Sequence, residues 1–280
     1  MNVGVGLPTT TPGADRALVL EWARRAEQGP FSSLGVFDRL AYDSYDPIVS
    51  LSAAAAATSR IRLATTILTA PLYNTALLAK SLASLDALSG GRLVAGLAIG
   101  ARESDYEVAG VPHRARGRRL AEQLAALKEI WESDTMGPKP VQPGGPPLLV
   151  GGLSDATFAR VARYANGYLH GGGPPATFVK AAAKARAAWA DAGRPDRLQL
   201  WGMGYFVLGD EEIERGTQYL QHYYEFTGPF VEKITAGLLT TPQAVMAFVH
   251  GYEEAGCDEL ILFPTVSHLS QLERLAELVG

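Results

Sequence analysis

The 280-residue chain has one cysteine, Cys257, and only six lysines among its 25 basic residues. A single cysteine excludes a disulfide framework and fits a reducing compartment. The five histidines (His113, His170, His222, His250 and His268) form no HxH or HxxxH pair, so no metal site is expected. No GxSxG elbow offers a nucleophilic serine. No GxGxxG follows the first apolar run, which counts against a Rossmann dinucleotide site. No apolar run reaches the ~18 residues of a membrane helix. The opening MNVGVGLPTT has no basic region before a long apolar stretch, so no secretory signal is expected. A net charge of −4 without a basic run leaves no footprint for nucleic acid. These absences describe a cytoplasmic protein that works on small molecules, away from membranes and nucleic acids.

What is present is alternation. Continuous apolar runs occur at 3–7, 34–38, 61–67, 93–99, 147–152, 167–171, 198–208 and 259–264. Helical patterns follow at 15–28, 46–58, 75–88, 114–132, 154–164 and 175–192, then as two or three helices between 211 and 255, and last at 268–279. The runs lack polar alternation, as strands buried on both faces do. Asp46-Pro47 and Thr241-Pro242 place a capping residue before a first-turn proline. Gly90, Gly167 and Gly256 stand where helices should stop. Eight βα units of this length predict an α/β fold, a (β/α)8 TIM barrel, as one domain over 1–280. A doubly wound open sheet is the alternative.

A barrel carries its chemistry at the C-terminal ends of its strands. None of the six lysines (Lys80, Lys128, Lys139, Lys180, Lys184, Lys233) falls there, which argues against Schiff-base chemistry. Cys257 precedes the last strand, at the wrong end for a nucleophile, and reads as core. The rim does have glycine. GGLSDAT brings Gly151, Gly152 and Ser154 to the start of one helix, and HGGGPPAT brings Gly171 and Gly172 to the next. Bare amides at a helix start make an anion site; ordinary strand-to-helix turns are the other reading. Tyr42, Tyr45, Tyr73 and the aromatic seventh strand offer an apolar slot, or plain core.

Three stretches are more specific. LDALSGGRLVAGLAIGARESDYEVAG followed by RARGRRLAEQLAALKEIW, LATTILTAPLYNTALLAKSLASLD, and PPLLVGG together resemble the luciferase-like monooxygenase family. Family members are flavin- or deazaflavin-dependent (β/α)8 barrels. The resemblance implies that Asp38 lines the cofactor pocket and that the Thr66–Ile67 peptide is cis, backing the central ring of the cofactor. It implies that Gly100 lets backbone approach that ring, and that Gly151, Gly152, Ser154, Gly171 and Gly172 meet the phosphate. Asp105-Tyr106 matches the family's acidic-aromatic pair and reads as a structural clamp. Many members have histidine after the strand-two aspartate, where this chain has Arg39. Arginine does not shuttle protons near neutral pH, but it binds anions. The catalytic candidates are therefore Arg39, Glu103 and His170, each also readable as a binding or structural group.

The resemblance implies coenzyme F420 or FMN; the Ala/Arg/Gly-rich, lysine-poor composition suits a GC-rich genome, where deazaflavin users are frequent, and by that association F420 is the expected cofactor, with FMN as the alternative. A cofactor-binding relative without catalysis is the competing function. The alanine run of DPIVSLSAAAAATS, with Ile48, Val49 and Leu51 facing the barrel, predicts a homodimer built on the second and third helices.

Overall fold

The computed structural model describes residues 1–280. Its eight strands are β1 (Asn2–Gly6), β2 (Ser33–Val36), β3 (Arg62–Thr69), β4 (Leu93–Ala98), β5 (Leu148–Gly151), β6 (Gly167–Leu169), β7 (Gln199–Phe206) and β8 (Glu259–Pro264). All pair in parallel and in order, and β8 returns to β1, closing a barrel. The helices are α1 (Arg16–Gln28), α2 (Pro47–Ala57), α3 (Thr75–Ser89), α4 (Glu103–Ala109), α5 (Arg116–Glu132), α6 (Asp155–Tyr164), α7 (Pro175–Asp191), α8 (Ile213–Tyr223), α9 (Val231–Thr235), α10 (Pro242–Glu254) and α11 (Leu269–Val279). The predicted (β/α)8 TIM barrel is the observed fold. No helix is long and apolar enough to cross a membrane.

Local chemistry sets the helix ends. Asp46 and Thr241 accept the amides of Val49 and Ala244, and Pro47 and Pro242 open the first turns. Gly90 ends α3 in the left-handed region, as the Ser-Gly-Gly turn requires. Gly167 departs from expectation. The helix before it has already stopped at Ala165, and Gly167 is the first residue of β6. A Cβ there would lie 2.4 Å from the Gln199 carbonyl oxygen, so the glycine serves strand pairing rather than helix termination. The polar run after β4 is also more ordered than a loop: Glu103–Ala109 forms α4.

Apolar side chains fill two layers. The larger lies between strands and helices and includes Trp22, Phe31, Leu82, Leu124, Tyr168, Phe178 and Tyr252. The smaller fills the barrel and its mouth, with Trp201, Met203, Phe37, Tyr205, Phe263, Tyr219 and Tyr223. At the closed end the buried Glu259 carboxylate accepts from Ser32 and Ser33, each at 2.5 Å, and pairs with Arg62. Cys257 is buried there, its Sγ directed at the carbonyls of Glu259 and Leu200. Burial pushes this thiol up to about 12, which fits a core residue and not a nucleophile.

α2 sits differently from the expectation. Pro47, Ser50, Leu51, Ala54 and Ala55 are its buried residues, while Val49 is 66% exposed. The helical period explains this: 47, 50, 51, 54 and 55 share one face, and Val49 lies off it. The alanine run is therefore split, with Ala54 and Ala55 in the core and Ala56 exposed.

Candidate active site

The C-terminal ends of the strands form an open rim. Asp38, just past β2, is buried, and its Oδ2 accepts the Thr69 amide at 2.8 Å and the Tyr73 hydroxyl at 3.2 Å. Burial pushes its carboxyl up to about 6, against the pull of these two bonds. Asp38 thus ties the β2 end to the β3 end. The Thr66–Ile67 peptide is cis. The register between β3 and β4 shifts between Thr65 and Leu68. Thr65 and Thr66 donate to the carbonyls of Gly96 and Val36, so the irregular turn is held from both neighbouring strands. Ile67 is left half-buried beside Gly96 and Gly151. Gly96 has a firm reason to be glycine: a Cβ there would stand 2.2 Å from the Thr65 carbonyl oxygen.

Beyond Ile67 the rim is rich in glycine, with Leu153 exposed among the small residues. Gly152, Ser154 and Gly171 are exposed, and a Cβ on Gly171 would meet nothing within 4 Å. Ser154 caps α6 by accepting the Thr157 amide. The first amides of α6 have no partner within the helix. The start of α7 offers fewer donors, because Pro174 and Pro175 have no N–H. His170 is buried below these loops. Its Nδ1 lies 3.1 Å from the Tyr168 hydroxyl and its Nε2 3.2 Å from Thr177 Oγ1. Burial pulls its pKa down to about 4, so the ring is neutral near pH 7. One lysine does reach this corner from outside the strand ends: Lys184 Nζ, on α7, bonds Asp155 at the start of α6 at 2.9 Å.

Across the mouth, Arg39, Arg102, Tyr42, Tyr223, Phe226 and Thr10 line much of a cavity of about 560 Å³. The Arg39 Nε stands 3.4 Å from Asp105, and its guanidinium packs on the rings of Tyr42 and Tyr223. Asp105 also accepts the Ala41 amide at 2.8 Å, and the Tyr106 hydroxyl donates to the Ile99 carbonyl. The pair does clamp α4 against two strand ends. Glu103 is exposed, pairs with His113 at 3.2 Å, and is not among the residues lining the cavity. Arg39 follows β2 and His170 follows β6, four strands apart in the closed barrel, and no hydrogen bond or ion pair joins them. Gly100 backs onto Thr69, with a left-handed φ of 65°. Tyr45 is exposed and Tyr73 is committed to Asp38, so of the three tyrosines only Tyr42 lines the cavity.

Sequence reading missed Arg102 and the aromatic run Tyr219, Tyr223, Tyr224 and Phe226. The usable signal was QYLQHYYEF, an aromatic cluster placed after the seventh strand, among the strand-to-helix connections that build a barrel's active-site face. A second, polar cavity of about 340 Å³ lies at the closed end, around Arg62, Trp201 and Glu259, away from the strand ends that carry function.

The luciferase-like monooxygenase family model matches residues 1–257. The chain belongs to that family. It is 31% identical over 239 residues to an uncharacterised protein of Mycobacterium tuberculosis, covering 71% of this chain and 82% of that one. It is 30% identical over 147 residues to the FMNH2-dependent dimethylsulfone monooxygenase of Pseudomonas putida, covering 46% of this chain and 40% of that protein. The fold superimposes on an F420-dependent secondary alcohol dehydrogenase, solved with an F420-acetone adduct, at a TM-score of 0.80. Identity there is 18%, with 100% of this chain and 99% of that one covered. The relatives and structural neighbours of this chain thus include an FMNH2-dependent monooxygenase and an F420-dependent dehydrogenase.

Proposed function

We propose that this chain is a cytoplasmic, F420-dependent oxidoreductase of one barrel domain, acting on a small organic molecule. The observation that carries the reading is the row of glycines at the ends of β5 and β6, Gly151, Gly152, Gly171 and Gly172, with the irregular β3 end at Ile67 beside Gly151. Two details support the fit. A side chain at Gly171 would fill open space, and the buried Thr9 Oγ1 at the end of β1 has no partner.

Gly151, Gly152 and Ser154, with the first amides of α6, would hold the phosphate; Gly171 and Gly172 would flank it. Asp38, Thr66, Ile67 and Gly100 would border the ring. When bound, the deazaflavin supplies hydride transfer. Asp38 keeps the β3 end in place through Thr69 and Tyr73. His170, neutral, spans Tyr168 and Thr177 and fixes the loop carrying Gly171 and Gly172. Arg39 holds positive charge over the mouth where a histidine would titrate. Glu103 is exposed, paired with His113 and outside the cavity lining, a surface ion pair rather than a catalytic group.

FMN is the second reading, favoured by the dimethylsulfone monooxygenase relative. Preference for the deazaflavin rests on composition. Titration with F420 and with FMN, followed by fluorescence quenching, separates them: F420 should bind the tighter. Quenching by neither would remove the proposal. Tight binding without turnover under any reductant would leave a non-catalytic cofactor binder.

A further inference from the structure

Arg102 is a cation without a counter-charge. It lies half-buried at the cavity over β1, β2 and β4. A guanidinium has five N–H donors. Arg102 makes one hydrogen bond to protein, Nη2 to the Tyr223 carbonyl at 3.2 Å, and its Nε is buried with no partner. Its charge rests on the faces of Phe226 at 4.4 Å, Tyr223 at 4.5 Å and Tyr224 at 5.5 Å. Arg39 beside it is differently placed. It has Asp105 at 3.4 Å and the carbonyls of Ala41 and Tyr223. Both arginines lean on the same Tyr223 carbonyl, so two like charges share one acceptor. The remaining acids at the cavity, Asp43 and Glu225, are exposed and pair with neither arginine. Water screens exposed charges far more than half-buried ones. The inside of the cavity is therefore positive, with aromatic walls.

We propose that this cavity takes a small organic anion, a carboxylate on a flat apolar body, as the substrate, and that Arg102 binds its charge. Tyr42, Tyr223 and Phe226 supply the apolar wall, and Thr10 and Ser104 line the polar side. Charge-assisted hydrogen bonds to a guanidinium are the strong class, and a carboxylate accepts two of them side by side. The role as substrate site rests on the redox reading above. The binding itself does not need it.

The test uses the purified protein, with benzoate, benzamide and acetate as probes followed by ligand-observed NMR. Benzoate should bind at least about tenfold more tightly than benzamide or acetate, and added salt should weaken it. Arg102→Met should lose about ten- to hundredfold in benzoate affinity, the effect of removing charge-assisted bonds, and leave benzamide unchanged; Arg102→Lys should recover part of the loss. A merely structural Arg102, clamping the aromatic run, would move both probes together. Equal affinity for benzoate and benzamide, no binding of benzoate, or an unaltered Arg102→Met variant overturns the proposal. So does competition between benzoate and F420 or FMN, which would assign the guanidinium to the cofactor's own anionic groups. Cofactor titration of the same samples keeps the two readings apart: charge-selective benzoate binding without cofactor binding indicts the cofactor reading alone.

Discussion

The Asp105 carboxylate stands 3.4 Å from the Arg39 guanidinium, and the two side chains are only 5% and 8% exposed. The same carboxylate holds the Ala41 amide, so α4 is fastened to the loop after β2 by one residue. Asp105→Asn keeps an oxygen for that amide but leaves Arg39 facing Arg102 with no counter-charge. Removing one partner of a buried pair costs about 3 kcal/mol. Urea denaturation of the variant should show a loss of that order; a loss below about 0.5 kcal/mol, the range of ordinary surface changes, would show the pair to be idle.

Two rim glycines make a matched pair of tests for the cofactor. Gly171→Val adds bulk where nothing lies within 4 Å. Stability should hold within about 0.5 kcal/mol, while F420 and FMN affinity falls at least about tenfold. Gly152→Leu is a harsher change. Gly152 has φ of 133°, and its Cβ would lie 2.6 Å from Thr157 Oγ1, so the fold itself should lose about 1–3 kcal/mol. Unchanged cofactor affinity in Gly171→Val would move the phosphate elsewhere.

His170 sets an acid limb. Its folded pKa is about 4 against an ordinary 6.5. As pH falls below 6.5 the unfolded chain takes the proton first, so this contribution is whole above 6.5 and is lost by about pH 4. The amount is about 3 kcal/mol. Asp38 acts in the opposite sense. Its folded pKa of about 6 lies above the ordinary 3.8, so the folded chain takes that proton first and gains stability between pH 6 and 4. His170→Gln should flatten the stability loss from pH 6.5 to 4, and Asp38→Asn should steepen it. Parallel acid limbs in parent and both variants would refute the assignment.

We propose a homodimer on the outer faces of α2 and α3, with its residues revised. Ala55 belongs to the core, so arginine there would damage the fold before any interface. Val49 and Leu77 are 66% and 67% exposed at the starts of α2 and α3. Light scattering at micromolar concentration should give twice 29.8 kDa for the parent and 29.8 kDa for Leu77→Glu with its Tm preserved. A stable pair buries about 800 Å² on each side. A monomeric parent ends the idea.

The barrel was legible because its signals are local. Apolar runs, Asp-Pro and Thr-Pro caps and the Ser-Gly-Gly turn each act within a few residues, and they placed β8 at 259–264 and the end of α11 at Val279. Burial direction within α2 was less legible, because an alanine run carries almost no periodic contrast: the helix is apolar nearly all round. The cavity was least legible. Arg39, Arg102 and Phe226 come from three separate loops, and only closure of the barrel brings their charges and rings together. Lys184 was discounted for lying far from any strand end, yet a long side chain on α7 crosses to α6.

The lone thiol at the closed end gives the molecule a built-in clock. Thiol reagents attack the thiolate, and Cys257 is both 5% exposed and held protonated until about pH 12. A labelling reagent must wait for the packing around the thiol to open. With closing faster than attack, the labelling rate measures the open fraction. Ligands that fasten the distant mouth would slow that label only if the whole ring opens as one unit.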